Sequence, residues 1–247
     1  MGQLYLVRHG QASLGAPDYD QLSTLGAQQS RRLGEYWKTH GLTFDAVLVG
    51  TFKRHAQTLQ GIRDGLGSTP EALQWPGLNE YDSEALIRAV HPNANFNTKT
   101  PEGYREHFRM LRDGLKQWIA GTASPVGMPS YPEFLKGVTS ALDHVRQHCE
   151  GNVLLVSSGG PISTAVAQVL QASPETSIEL NLRMRNSSVN EFHFTPKRHN
   201  LVVFNSLPIW QHRSIGSGSR MPKGMHSFPK LFKKNLDLQN LAHTKTT

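Results

Sequence analysis

The chain reads as an α/β protein built around a mostly parallel sheet, on three observations. Short apolar runs at Leu4-Tyr5-Leu6-Val7, Val47-Leu48-Val49 and Val153-Leu154-Leu155-Val156 have the continuity of strands buried on both faces. Segments between them place apolar residues three and four apart, the helical period. Strand, helix and strand alternate through Gln74, the rhythm of βαβ units.

In chain order, the first strand ends at Arg8-His9-Gly10. The loop Asp20–Gly26 leads into a helix that Ser23 or Thr24 can cap and that Gly41 stops after about His40. The second strand ends at Gly50, and Thr51–Thr58 opens the next helix. Between about Ser83 and Ser130 the pattern turns to helices with Pro and Gly punctuation; 83–90 and 102–119 are read as helices of a cap or insert over the sheet edge. Residues 131–148 form a further amphipathic helix, with Phe134, Val138, Leu142 and Val145 on one face. A strand at 152–157, a helix from Pro161 to Leu170 and strands near 188–194 and 200–205 complete the body.

At 247 residues the chain has ample material for a core. One cysteine, Cys149, excludes an internal disulfide, and no long apolar run is expected to span a membrane, so the expected location is the cytoplasm. The net charge of +7 is uneven: from Arg213 to Thr247 seven basic residues face one acid, Asp237, which leaves the rest nearly neutral. The expected division is therefore a body over 1–212, with the helical insert at 83–130, and a basic tail over 213–247. Specific nucleic-acid binding by the body is not expected. The tail, opening on Gly216-Ser217-Gly218-Ser219, is either a solvated segment or a weak electrostatic tether to an anionic surface.

Chemistry concentrates where strands end, the crevice in which open α/β sheets bind ligands. Arg8 offers a planar, permanently charged donor fork suited to phosphate or carboxylate. His9 offers an imidazole that is neutral and nucleophilic near pH 7. Gly10 allows a close backbone approach or a positive φ. Lys53-Arg54-His55-Ala56-Gln57-Thr58 opens a helix, Gly77-Leu78-Asn79-Glu80 carries a carboxylate in a loop, and Ser157-Ser158-Gly159-Gly160-Pro161 is a glycine turn at a helix start.

These four ordered motifs resemble the histidine phosphatase superfamily, which includes the cofactor-dependent phosphoglycerate mutases; the resemblance covers about residues 3–206. It implies a three-layer sandwich around the sheet and attack on phosphorus by His9 to form a phosphohistidine. Arg8 and Arg54 would clamp the phosphoryl group, Glu80 would serve as general acid ahead of Asp82 and Glu84, and Ser158 and Gly159 would help bind phosphate. Lys53 is expected to be a solvated charge, and His55, standing where the family has a small residue, to face either the pocket or solvent. Asn186-Ser187-Ser188-Val189 matches the family element leading into a strand, with a structural role. The reaction calls for no cofactor and no metal, and for a small phosphorylated substrate.

Two departures matter. Where the family reads Ser-His-Gly, this chain has Ser157-Ser158-Gly159, so a hydroxyl replaces a histidine that contacts the transferring phosphoryl group. Loss of one charge-assisted hydrogen bond costs about 1.5–3 kcal/mol, or roughly ten- to a hundred-fold in rate. Gln11-Ala12-Ser13-Leu14-Gly15-Ala16-Pro17 also lacks the mutases' tryptophan-asparagine element. The expected function is a phosphomonoesterase attenuated at Ser158; the alternatives are a catalytically weakened phosphate-binding regulator and, behind it, a mutase.

Overall fold

The structure, a computed structural model, describes residues 1–13, 18–95 and 100–208. The basic tail and part of the segment after Gln11 lie outside these residues. Six strands form one sheet in the order β3-β2-β4-β1-β5-β6: β1 is Gly2–Arg8, β2 Ala46–Val49, β3 Ala72–Gln74, β4 Asn152–Ser157, β5 Val189–Phe194 and β6 His199–Ser206. The first four in sheet order are mutually parallel; β5 and β6 pair antiparallel at one edge. The sheet is mostly parallel, as the sequence predicts.

Alternation along the strands divides the core in two. Leu4 and Leu6 of β1, with Val153 and Leu155 of β4, face one side; Tyr5 and Val7, with Leu154 and Val156, face the other. The second side is covered by α1 (Thr24–Thr39) and α2 (Lys53–Leu66), which contribute Leu33, Trp37, Leu59 and Ile62. The first side is covered by α4 (Pro101–Ile119), α5 (Tyr131–His148), α6 (Gly159–Leu170) and α7 (Pro174–Arg183). Both faces of the sheet are sealed, so its central strands can be continuously apolar. Met110, Leu111, Leu115 and Trp118 of α4 belong to the same core cluster as Leu4 and Leu6, and α3 (Ser83–Val90) packs on α4.

Caps explain most boundaries. Ser23 caps α1, its Oγ accepting from Gly26 N; Ser130 and Glu133 form a reciprocal capping box on α5. Two expectations need correction. The helix predicted from Pro161 begins at Gly159, so Pro161 is its third residue, within the turn whose amides need no intrahelical acceptor. The helix α7 was not foreseen, although Ser173 before Pro174 is a start signal and the Ser173 Oγ does accept from Thr176 N. Gly10 also answers to packing: a Cβ there would lie 2.4 Å from the Gly26 carbonyl oxygen at the start of α1.

Candidate active site

The residues singled out by the sequence converge at the carboxyl ends of β1, β2 and β4. Parallel pairing places Arg8 of β1 opposite Ser157 of β4, and His9 N donates to the Ser157 carbonyl at 2.9 Å. His9 and Ser158 thus leave the sheet side by side. The backbone of Arg8 and His9 is held from the other flank, where Ser187 N donates to both of their carbonyls and Arg8 N donates to Ser188 O. The segment before β5 therefore has the structural role expected of it.

His9 is 4% exposed. Its Nδ1 lies 2.7 Å from the Gly10 carbonyl, which can only accept, so the Nδ1 proton occupies that bond. Burial first, then the positive charges of Arg8 and Arg54, hold the imidazole well below its ordinary value and keep it neutral. A neutral ring protonated on Nδ1 leaves the Nε2 lone pair for attack. The Gly10 turn is braced from α2, since Thr58 Oγ accepts from Gly10 N and donates to the Arg54 carbonyl.

Arg54 is buried and Arg8 half-buried, and both are only partly satisfied. Arg8 donates through Nη1 to the Met184 carbonyl, and Arg54 through Nη1 to Asp20 at 2.8 Å. The Nε of each is buried with no hydrogen-bond partner among the described residues. Burial, opposed by Glu80, lowers the Arg8 pKa, and the Arg54 charge lowers it further. Two guanidinium groups with unmatched donors beside a neutral histidine have the charge and the donors to hold a doubly charged anion. Arg54 also lies over the Phe52 ring, 4.4 Å from its centroid.

Asp20 was not flagged by sequence reasoning, yet it organises the start of α2. The residue before that helix, Phe52, has no side chain able to cap it; Asp20 accepts from Lys53 N at 2.9 Å while holding Arg54. Lys53 is 64% exposed and pairs with Asp18, so it is the surface charge expected.

The three nearby carboxylates separate cleanly. Both oxygens of Glu80 accept from Gly160 N at 3.1 Å, and burial raises its pKa against the pull of that hydrogen bond and of Arg8 and Arg54. Asp82 caps α3, accepting from Glu84 N and Ala85 N. Glu84 is 71% exposed and pairs with Arg88 on the same helix. Glu80 is thus the carboxylate at the site, and it occupies the Gly160 amide that the helix start offered to an anion. Gly159 sits at the first turn of α6, where a Cβ would lie 3.6 Å from Arg8 Cζ. Tyr81 and Asn181, also unforeseen, hydrogen-bond to each other beside it.

His55 is fully buried and faces the site. Its ring lies 5.8 Å from that of His9, centroid to centroid, and its Nε2 is 2.7 Å from Ser158 Oγ. Burial, then Arg54, lowers its pKa to about 3. Ser158, also fully buried, has its Oγ against His55 Nε2 and makes no side-chain cap on α6, whose Gly160 amide is taken by Glu80. Among the described residues, no three or more His, Cys, Asp or Glu side chains cluster as metal ligands would.

A family model described as histidine phosphatase superfamily (branch 1) matches residues 4–207. The chain belongs to the histidine phosphatase superfamily. A Hydrogenobacter thermophilus protein provisionally named phosphoserine phosphatase 2 is 26% identical over 223 residues, 84% of this chain and 97% of that protein. Among solved structures, a phosphoserine phosphatase variant from Entamoeba histolytica in complex with phosphoserine matches with a TM-score of 0.57 at 19% identity, covering 85% of this chain and all of that one. A phosphoglycerate mutase from Bacillus anthracis matches with a TM-score of 0.57 at 16% identity, covering 84% of this chain and 94% of that one. The fold is phosphoglycerate mutase-like. Membership of this histidine phosphatase family, with relatives named as phosphatases, supports a phosphoric monoester hydrolase.

Proposed function

We propose that the protein hydrolyses small phosphate monoesters through a phosphohistidine on His9, with Arg8, Arg54, Ser158 and Gly159 around the phosphoryl group and Glu80 as proton donor. The observation that carries this reading is the neutral, buried His9, its Nδ1 tied to Gly10, between two arginines with unmatched Nε donors. Nε2 attacks phosphorus while the bond to the ester oxygen breaks and Glu80 passes its proton to the departing alkoxide. Water then attacks the phosphohistidine, the N–P bond breaks, and the Glu80 carboxylate takes the water's proton. The arginines stabilise charge spread over the equatorial oxygens in both steps.

The helices between 83 and 130 are read as the insert that selects the substrate; on α4, burial raises the Tyr104 pKa and the Arg8 charge opposes that rise. The cytoplasm is the proposed location. Among the described residues no helix is long and apolar enough to cross a membrane. A phosphate-binding regulator is the competing reading, favoured by Ser158. Incubation with a phosphorus-labelled aryl phosphate separates the two. An acid-labile, base-stable adduct mapping to His9, absent together with hydrolysis in His9→Ala, is the expected result. Undiminished hydrolysis by that variant eliminates the nucleophile, and bound phosphate with no adduct and no turnover selects the regulator.

A further inference from the structure

The serine that breaks the family pattern touches the histidine that also breaks it. By resemblance, position 158 carries a histidine and position 55 a small residue; here the two are Ser158 and His55, 103 positions apart in the chain and 2.7 Å apart in the fold. The surroundings fit the exchange. A Cβ on Gly50, at the end of β2, would lie 2.2 Å from His55 Nδ1 and 2.8 Å from Cε1, so glycine there makes room for the ring. A histidine at 158 would run into the same ring, both positions being completely buried. Phe52 stacks on its face, 5.5 Å between centroids. The imidazole is therefore held from three directions and aimed at the one residue that follows Ser157 beside His9.

We propose that the His55–Ser158 pair does the work of the family's second histidine, the imidazole coming from the first turn of α2 and the serine hydroxyl carrying its hydrogen bond to the phosphoryl group. This rests on the phosphatase reading above. His55 Nδ1 has no hydrogen-bond partner among the described residues, which leaves the one proton of the neutral ring to Nε2. Nε2–H donates to Ser158 Oγ, Ser158 Oγ–H donates to a phosphoryl oxygen, and no covalent bond changes in either residue. His55 is a positioning residue, acting through Ser158. The arriving dianion favours this proton arrangement, because its charge rewards donors pointed toward it. In its absence burial and Arg54 keep the ring uncharged, so the relay adds no third permanent cation to the pocket. Ser158 is then one half of a two-residue donor.

The test is a reciprocal exchange in the full chain, read by kcat and KM on p-nitrophenyl phosphate, by orthovanadate affinity and by thermal midpoint. His55→Ala should lower kcat about 10- to 100-fold, the effect of one charge-assisted hydrogen bond. Ser158→His with His55 retained should also lose activity, by collision of the two rings. The double variant His55→Ala/Ser158→His should recover at least about tenfold over His55→Ala, which a merely structural role would not produce. A folded His55→Ala with parental kcat overturns the proposal, as does a Ser158→His variant at or above parental kcat. A folded double variant no better than His55→Ala overturns it too. If the alanine variant fails to fold, His55→Gln and His55→Met fill the space with and without a donor. The glutamine variant should be at least about tenfold the more active; equality refutes the relay. Should the parent form no phosphohistidine and hydrolyse nothing, the phosphatase reading falls. Orthovanadate affinity then decides this one: weaker in His55→Met than in His55→Gln supports the pair, and equal values refute it.

Discussion

Glu80, Asp82 and Glu84 lie within one short segment, and the chain gives each a different task. Desolvation beside the Gly160 amide holds Glu80 protonated above the ordinary carboxylate range, which suits it to give a proton to a poor leaving group. Glu80→Gln should therefore slow hydrolysis of alkyl phosphates by about 10²–10⁴-fold. It should slow p-nitrophenyl phosphate, whose phenolate departs unaided, much less. Parental kcat/KM on alkyl phosphates is expected to fall toward alkaline pH as Glu80 ionises, whereas its acid limb lies below 6.5 because His9 resists protonation. Equal losses on both ester classes would remove Glu80 from the role of acid. His9, Arg8, Arg54 and Glu80 were legible in sequence because each stands in a short ordered motif at the end of a strand or the start of a helix. Asp20 was not, since its partners Lys53 and Arg54 lie more than thirty positions away and nothing local marks it.

Helix starts carry much of this site, and they are stabilised by different means. The start of α2 takes its acceptor from Asp20 in a distant loop, α6 from Glu80, and α3 from its own Asp82. A cap that serves one helix alone should matter for stability and not for chemistry. Asp82→Ala is expected to destabilise the fold by about 0.5–2 kcal/mol in urea unfolding, with kcat unchanged. A large loss of kcat at full folding would show that Asp82, and not Glu80, faces the substrate. The same local logic explains the two element-level corrections. The Pro161 ring fits equally at the first or third position of a helix, so sequence left the start of α6 two residues uncertain; Ser173-Pro174 did carry a start signal, but a weak apolar period followed it.

Across the whole molecule, burying neutral imidazoles ties stability to pH. The folded pKa of His9 lies well below 6.5 and that of His55 is about 3, so each binds a proton in the unfolded chain at a pH where the folded chain refuses it. Their stabilisation is complete above about 6.5 and is lost as pH falls below that value. Each contributes a slope of up to about 1.4 kcal/mol per pH unit. Glu80 has the opposite sign: its raised pKa favours the fold below the ordinary carboxylate value and less as pH rises, which opposes the effect of the two histidines. The urea midpoint is expected to fall from pH 7 to pH 5, and more steeply in Glu80→Gln. A midpoint that is flat or rises on acidification would show that these imidazoles are not held neutral by the fold.

The amino-acid sequence alone determined the sheet-forming runs, most helices, the family and the four motifs, because periodicity, capping residues and short motifs are properties of neighbouring positions. Sheet order and pairing partners were beyond it, as was the burial of His55. So was the contact that turns two separate departures, His55 and Ser158, into one hydrogen-bonded pair. That contact depends on parallel pairing of β1, β2 and β4, which brings the end of β4 against the first turn of α2 across 103 positions of chain. A lone serine in a motif reads as a loss. Only its packing against a buried imidazole, in space opened by Gly50, shows where the missing ring went.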